Sequence, residues 1–183
     1  MDPKYVCVLD MDETLGFYEG TTFHVRPHFV TLMRFLRLIR ADIILWSLGT
    51  DAYVQRVVNG FLPEMASHAY KIFARSESEY ARTYYQFAKA SPHVRDMYPS
   101  TTVFLMAVDD RVSDNMDEQY DLRIHVQPYT KVNSCDKELI KVVQALINGI
   151  MGLTTKHVQR PSLPETDSQS PDQMDCFTMA PAS

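Results

Sequence analysis

Hydrophobic residues recur along this chain in two rhythms. Short, mostly apolar runs rich in β-branched and aromatic residues occur at 5–9 (YVCVL), 41–47 (ADIILWS), 102–108 (TVFLMAV) and 122–129 (LRIHVQPY). Such runs predict buried strands, the last one stopped by Pro128. Between them apolar residues return every three or four positions. Phe29, Leu32, Met33, Leu36 and Ile39 predict one helix, with Pro27 at its first turn. The segment GTDAYVQRVVNGF predicts a second, capped by Thr50, with Asp51 in its first turn and ended by Gly60. Residues 133–152 predict a third, with a polar start at Asn133–Ser134 and Leu139, Val142, Val143, Leu146 and Ile150 on one side. Residues 10–26, with Gly16 and Gly20, read as a loop, and 62–87 give no clear period. Strand and helix alternate up to about Gly152, which predicts an α/β domain with a parallel sheet and helices on both faces.

Beyond residue 153 the pattern stops. Pro161, Pro164, Pro171 and Pro181 are interleaved with Ser, Gln and Asp. The expected organisation is one domain, 1–153, and a disordered tail, 154–183. Arg34, Arg37 and Arg40 form a polar stripe on the first predicted helix, read as a solvated face.

Composition narrows the function. The 183 residues carry a formal net charge of -5, which disfavours generic nucleic-acid or membrane binding. The three cysteines, Cys7, Cys135 and Cys176, form no CxxC pair and suggest neither a disulfide framework nor a zinc site. The N-terminus has no signal-peptide profile, and the apolar region 29–46 is interrupted by Arg34, Arg37, Arg40 and Asp42. The expected location is intracellular, in nucleus or cytoplasm.

Two of the predicted strands end in paired acids: Asp10-x-Asp12 and Asp109-Asp110. In an open parallel sheet, ligands bind at the carboxyl ends of the strands. Four carboxylates converging there repel one another unless a hard cation such as Mg²⁺ offsets their charge. A carboxylate can attack phosphorus, and a second one two residues later can serve as acid and base for the leaving oxygen and the attacking water. Ser47, at the end of the second strand, supplies a hydroxyl.

The stretch LDMDETLG resembles the DxDx(T/V) signature of the haloacid dehalogenase (HAD) superfamily. With RPH downstream, it is similar to the phosphatases that act on the C-terminal domain of RNA polymerase II and to the related small phosphatases. ILWSLGTDAYV, KIFARSES and VDDR are similar to further segments of that family, so the resemblance extends over about residues 4–150. It implies a Rossmann-like HAD fold and a Mg²⁺-dependent protein serine/threonine phosphatase working through an aspartyl phosphate. Asp10 would be nucleophile and metal ligand. Asp12 would be the general acid/base, with its carbonyl on the metal. Thr14 would support the loop within the phosphate-binding set, and Ser47 would hold the phosphate. Asp109 and Asp110 would complete the metal site. The phosphate-binding lysine is assigned to Lys89, with Lys71 as the alternative and Arg95 less favoured. Arg26 could assist anion binding, and His28 reads as an early-helix residue held by packing. Trp46, Tyr84 and Tyr85 read as core or rim residues. A phosphoprotein partner is implied, the polymerase tail among the candidates. The competing readings are a phosphatase for a small metabolite and a non-catalytic binding module.

The intervals between these residues restrict any cap. The 34 residues between Asp12 and Ser47 leave no room for a folded cap once a helix and strand are placed. The 41 residues between Ser47 and Lys89 leave room only for a small sheet-like insertion.

Overall fold

The computed structural model describes residues 3–158. Its centre is a five-stranded, all-parallel sheet: β1 (Lys4–Leu9), β4 (Asp42–Trp46), β5 (Ala69–Phe73), β6 (Val103–Asp109) and β7 (Leu122–His125), in the order β5-β4-β1-β6-β7. A hairpin of β2 (Gly16–Glu19) and β3 (Thr22–Val25) follows β1. The helices are α1 (Phe29–Leu38), α2 (Asp51–Phe61), α3 (Pro63–His68), α4 (Arg75–Tyr85), α5 (Ser91–Arg95), α6 (Val112–Asn115) and α7 (Glu138–Val158).

Alternation along the strands builds two cores. Cys7, Leu9, Ile43, Leu45, Met106 and Val108 pack with Leu32, Val57, Val142 and Leu146, residues of α1, α2 and α7. Val6, Val8, Ile44, Trp46, Leu105 and Ala107 pack on the opposite face with Ala81, Val94 and Val112, from α4, α5 and α6. Residues Val6 to Leu9 are each 0% exposed. At roughly 1.5–3 kcal/mol for each fully buried large apolar side chain, a one-residue slip of β1 would be prohibitive. That stringency also fixes where the residues after Leu9 emerge.

Several elements differ from the sequence-based expectation. The 10–26 loop contains the β2–β3 hairpin, whose short strands carry no extended alternating pattern. Gly16 sits where an added Cβ would lie 2.5 Å from the His24 carbonyl oxygen, so the hairpin needs glycine there. Pro27 lies outside α1, because His28 is the N-cap, in a left-handed conformation with φ 68°. His28 is exposed, and packing does not hold it. Gly60 lies inside the last turn of α2 rather than beyond it. Strand β7 ends at His125, before Pro128, and α7 begins at Glu138 rather than near Asn133. The interval from Ser47 to Lys89 holds no separate small sheet: it supplies α2, α3, α4 and β5, and β5 is an edge strand of the main sheet.

Several expectations for single residues are met. Cys7 is buried and Cys135 exposed, both as free thiols. Arg34, Arg37 and Arg40 are all exposed. Trp46 is fully buried, while Tyr84 stands 66% exposed on the rim. Among the described residues no helix is long and apolar enough to cross a membrane. Helix α7 extends through Val158. The remainder of the expected tail, 159–183, lies outside the described residues, as does Cys176.

Candidate active site

Sheet register brings the predicted residues level with one another. Leu9 pairs with Leu45 on one side and Val108 on the other. The next residues, Asp10, Trp46–Ser47 and Asp109, therefore leave the sheet side by side at its carboxyl edge. The Asp10 amide donates to the Val108 carbonyl at 3.0 Å, and the Ser47 amide to Phe73 at 3.0 Å. These bonds hold both residues in strand-like geometry just past the ends of β1 and β4.

Lys89 supplies the positive charge of the site. It sits between α4 and α5, fully buried, and its Nζ lies 2.5 Å from both Asp10 and Asp109. Burial pushes the Asp10 carboxyl up to about 7; Lys89 pulls against that, and Asp109 adds to it. For Lys89, burial favours the neutral amine, but the two carboxylates outweigh it and hold the ammonium above its ordinary value. The two directions are compatible, because one ammonium is shared between two acids. Asp109 is saturated: besides Lys89 it accepts from the Arg111 amide at 2.6 Å and from Asn115 Nδ2 at 3.2 and 3.3 Å. It is 0% exposed. Asp110 is half-buried and faces outward. Burial, then Asp109 and Glu13, push its pKa up.

Asp12 is held by neutral donors. Ser47 Oγ donates to its Oδ2 at 3.2 Å, and the Tyr53 hydroxyl donates to its Oδ1. Burial, followed by the bond to Asp12, keeps Tyr53 protonated. The Gly49 amide in turn donates to Ser47 Oγ at 3.0 Å, which orients the hydroxyl. Tyr53 reaches Asp12 across Gly49, where an added Cβ would meet the tyrosine ring at 2.5 Å.

The loop carrying Asp12 is braced from below. Thr14 is fully buried; its hydroxyl donates to Asp110 Oδ1 at 3.4 Å and accepts from the Asp110 amide at 3.1 Å. Arg26, also buried, pairs with both oxygens of Asp136 at 3.0 Å and donates to the carbonyls of Glu13 and Thr14 at 3.4 and 3.2 Å. It lies over the Tyr129 ring, 5.1 Å from the centroid. With its donors engaged inside the protein, Arg26 is a brace and not an anion receptor.

A cleft of about 220 Å³ opens above these groups, lined by Asp10, Asp12, Glu13, Leu48, Asp110, Arg111 and Asn115. Beside it lies a second, of about 270 Å³, lined by Asp12, Glu13, Phe17, Tyr18 and Thr130. Carboxylate oxygens of Asp10, Asp109 and Asp110 lie within 4.8 Å of one another. An all-oxygen donor set of this kind suits a hard cation such as Mg²⁺.

The family described as NLI interacting factor-like phosphatase matches residues 5–158. The chain belongs to that family, within the HAD superfamily. Two similar solved structures are Fcp1, an essential RNA polymerase II CTD phosphatase (15% identity, TM-score 0.47, 88% of this chain and 55% of that one), and a variant of fission yeast Fcp1 bound to beryllium fluoride (16% identity, TM-score 0.43, 86% and 53%). This chain spans about half the length of those two. No curated protein matches.

In this chain the sequence-predicted residues divide by position. Asp10, Asp12, Asp110, Ser47 and Lys89 meet at or just beneath the cleft. Lys71 is exposed on the edge strand β5, and Arg95 is occupied with Asp121 at 2.9 Å. Tyr53, Asn115 and the Arg26–Asp136 brace were not foreseen as parts of the site. Tyr53 had a readable signal, since it lies six residues after Ser47, in the segment whose likeness to the family includes the AY pair. Asn115 and Asp136 had none, because each is brought in by tertiary packing.

Proposed function

We propose that the chain is a Mg²⁺-dependent protein serine/threonine phosphatase that works through an aspartyl phosphate on Asp10. The observation that carries the reading is the convergence of Asp10 and Asp12, Ser47, and Lys89, from three separate segments, on one cleft over which the described residues place no further domain. A shallow, uncapped cleft admits a phosphorylated side chain on a polypeptide but lacks the walls that enclose a small metabolite.

The proposed roles follow from the contacts. Asp10 is the nucleophile: its carboxylate attacks phosphorus and the phosphorus–oxygen bond to the substrate breaks. Asp12 protonates the departing oxygen and later takes a proton from the water that releases phosphate and frees Asp10. Ser47, oriented by Gly49, turns from Asp12 to a phosphoryl oxygen as substrate enters. Thr14 locks the Asp12 loop against Asp110. Lys89 holds Asp10 in the attacking orientation and offsets charge beneath the phosphoryl group. Asp10, Asp110 and the backbone of Asp12 would hold the cation, with Asp109 placed behind them to grip Lys89. A Mg²⁺ held by these residues would offset the negative charge of the phosphoryl oxygens.

The test is turnover of a panel of phosphoserine and phosphothreonine peptides, RNA polymerase II tail repeats included, beside sugar phosphates and nucleotides, with Mg²⁺ and with chelator. Higher kcat/KM for a peptide than for every metabolite, abolished by chelator, is the expected result. A metabolite hydrolysed far faster than all peptides would overturn the substrate class.

A further inference from the structure

Leu48 lines two cavities. One is the catalytic cleft; the other, of about 220 Å³, is walled by Leu48, Arg75, Ser78, Glu79 and Arg82. The second groove therefore adjoins the cleft across a single residue, the one that follows Ser47. Its basic side chains lie on the first and third turns of α4.

Three features separate this groove from an ordinary charged surface. First, among the described residues neither Arg75 nor Arg82 has a carboxylate within ion-pairing distance, although every acid pairing that was found engages another cation. Secondly, Arg75 is fixed: its Nε donates to the Leu48 carbonyl at 3.2 Å, and its amide donates to Gly49 at 2.9 Å. The guanidinium is thus tied to the backbone beside Ser47 while its terminal nitrogens stay available, so little side-chain freedom remains to be lost on binding. Thirdly, the floor is rigid. Ser78 Oγ, almost fully buried, accepts from Trp46 Nε1 at 2.9 Å and donates to Ala74 at 3.2 Å. Glu79 is the opposing charge, so two guanidinium groups stand against one carboxylate, in a chain whose formal net charge is -5.

We propose that the Arg75–Arg82 groove binds an acidic side chain, either a carboxylate or a second phosphate, that flanks the target phosphoresidue on the same substrate polypeptide. This rests on the phosphoprotein reading above. An extended peptide advances about 3.3 Å per residue, so a side chain a few positions from the phosphoserine is the part of the substrate that faces a groove sharing Leu48 with the cleft. Guanidinium groups recognise carboxylates and phosphates through paired donors.

The experiment compares three phosphoserine peptides of one sequence that differ at the flanking positions: Gln, Glu, or a second phosphoserine. Full-length protein is used with Mg²⁺, and the readout is the ratio of kcat/KM for acidic over neutral peptides. A ratio of about 3- to 10-fold is expected at low salt, shrinking as ionic strength rises. Arg82→Gln is expected to reduce the ratio towards one, and Arg82→Glu to invert it in favour of the neutral Gln peptide. Arg82 makes no hydrogen bond to the cleft, so its substitution separates the groove from the chemistry. Equal rates on all three peptides, or a preference that survives Arg82→Glu, would overturn the groove assignment and leave the phosphatase reading standing. Hydrolysis of small phosphoesters with none of the peptides turned over would overturn both.

Discussion

Arg26→Met tests whether the catalytic loop depends on its brace. The substitution keeps an unbranched apolar stem but removes the guanidinium. It leaves Asp136 without its cation, and the carbonyl oxygen of Thr14 without a donor. Breaking a fully buried pair by deleting one ion costs about 3–5 kcal/mol. Asp136 is less enclosed than Arg26, its side chain 12% exposed against 1%, so water recovers part of the loss. The expected destabilisation is about 2–4 kcal/mol, or roughly 6–12 °C in Tm for a domain of this size. Asp136→Asn keeps an oxygen that can accept from the Glu138 amide at the start of α7, but it strands the charge of Arg26, the more deeply buried partner, so it should cost at least as much. Urea denaturation of both single variants and the double variant closes the cycle, and a coupling of about 1–2 kcal/mol is expected. The pair also predicts a pH dependence. Burial alone would raise the Asp136 pKa, but the bond and charge of Arg26 lower it. A depressed carboxylate stabilises the fold above its unfolded pKa, and this contribution is lost as pH falls. The gap between wild type and Arg26→Met should therefore narrow below about pH 4. Since Arg26 holds the two carbonyls that directly follow Asp12, kcat should fall about 10- to 100-fold through misplacement of Asp12. Stability within about 0.5 kcal/mol of wild type, or additive single variants with unchanged kcat, would refute the brace.

Asp10→Asn should abolish turnover, while circular dichroism shows an intact fold, because shape is kept and the nucleophile is lost; wild-type activity would remove Asp10 from the mechanism. Asp12→Asn should be nearly as severe, since both proton transfers need that carboxylate; an unimpaired variant would require another acid. With the Asp10 pKa pushed up to about 7, cation binding must expel a proton at lower pH. Mg²⁺ affinity, followed by titration calorimetry, should thus rise about tenfold per pH unit up to about 7 and then level off, and a flat profile would contradict this. A chain ended at Val158 should keep fold and activity, because α7 is then complete; precipitation or loss of turnover would mean that 159–183 contributes to the domain.

Much of the fold could be read from the chain because its strands are buried on both faces. Residues such as Val6 to Leu9 then need no alternation, and a short apolar run is enough to mark them. The hairpin at 16–25 and the edge strand β5 escaped for the opposite reason. Their strands are four or five residues long and partly exposed, so hydrophobic pressure writes little into them. The acids at the ends of β1 and β6 stood out because carboxylates directly after apolar runs are conspicuous in any sequence.

By itself the sequence determined an alternating α/β domain, acids at two strand ends, a hydroxyl at a third, and a family signature. These are local properties: each depends on residues within one strand or one turn, and neighbouring residues report them. Tertiary structure alone decided how those groups divide the work. Asp109 and Asp110 are adjacent in sequence, yet one is sealed behind the site with Lys89 while the other faces the cleft. Arg26 carries the same charge as Arg75 and Arg82, but it is spent inside the protein while they stand unpaired beside Leu48. Whether a charge is paired depends on what packs against it from 13, 79 or 110 residues away. Only sheet register and helix docking bring such partners within hydrogen-bonding distance, and no local pattern records them.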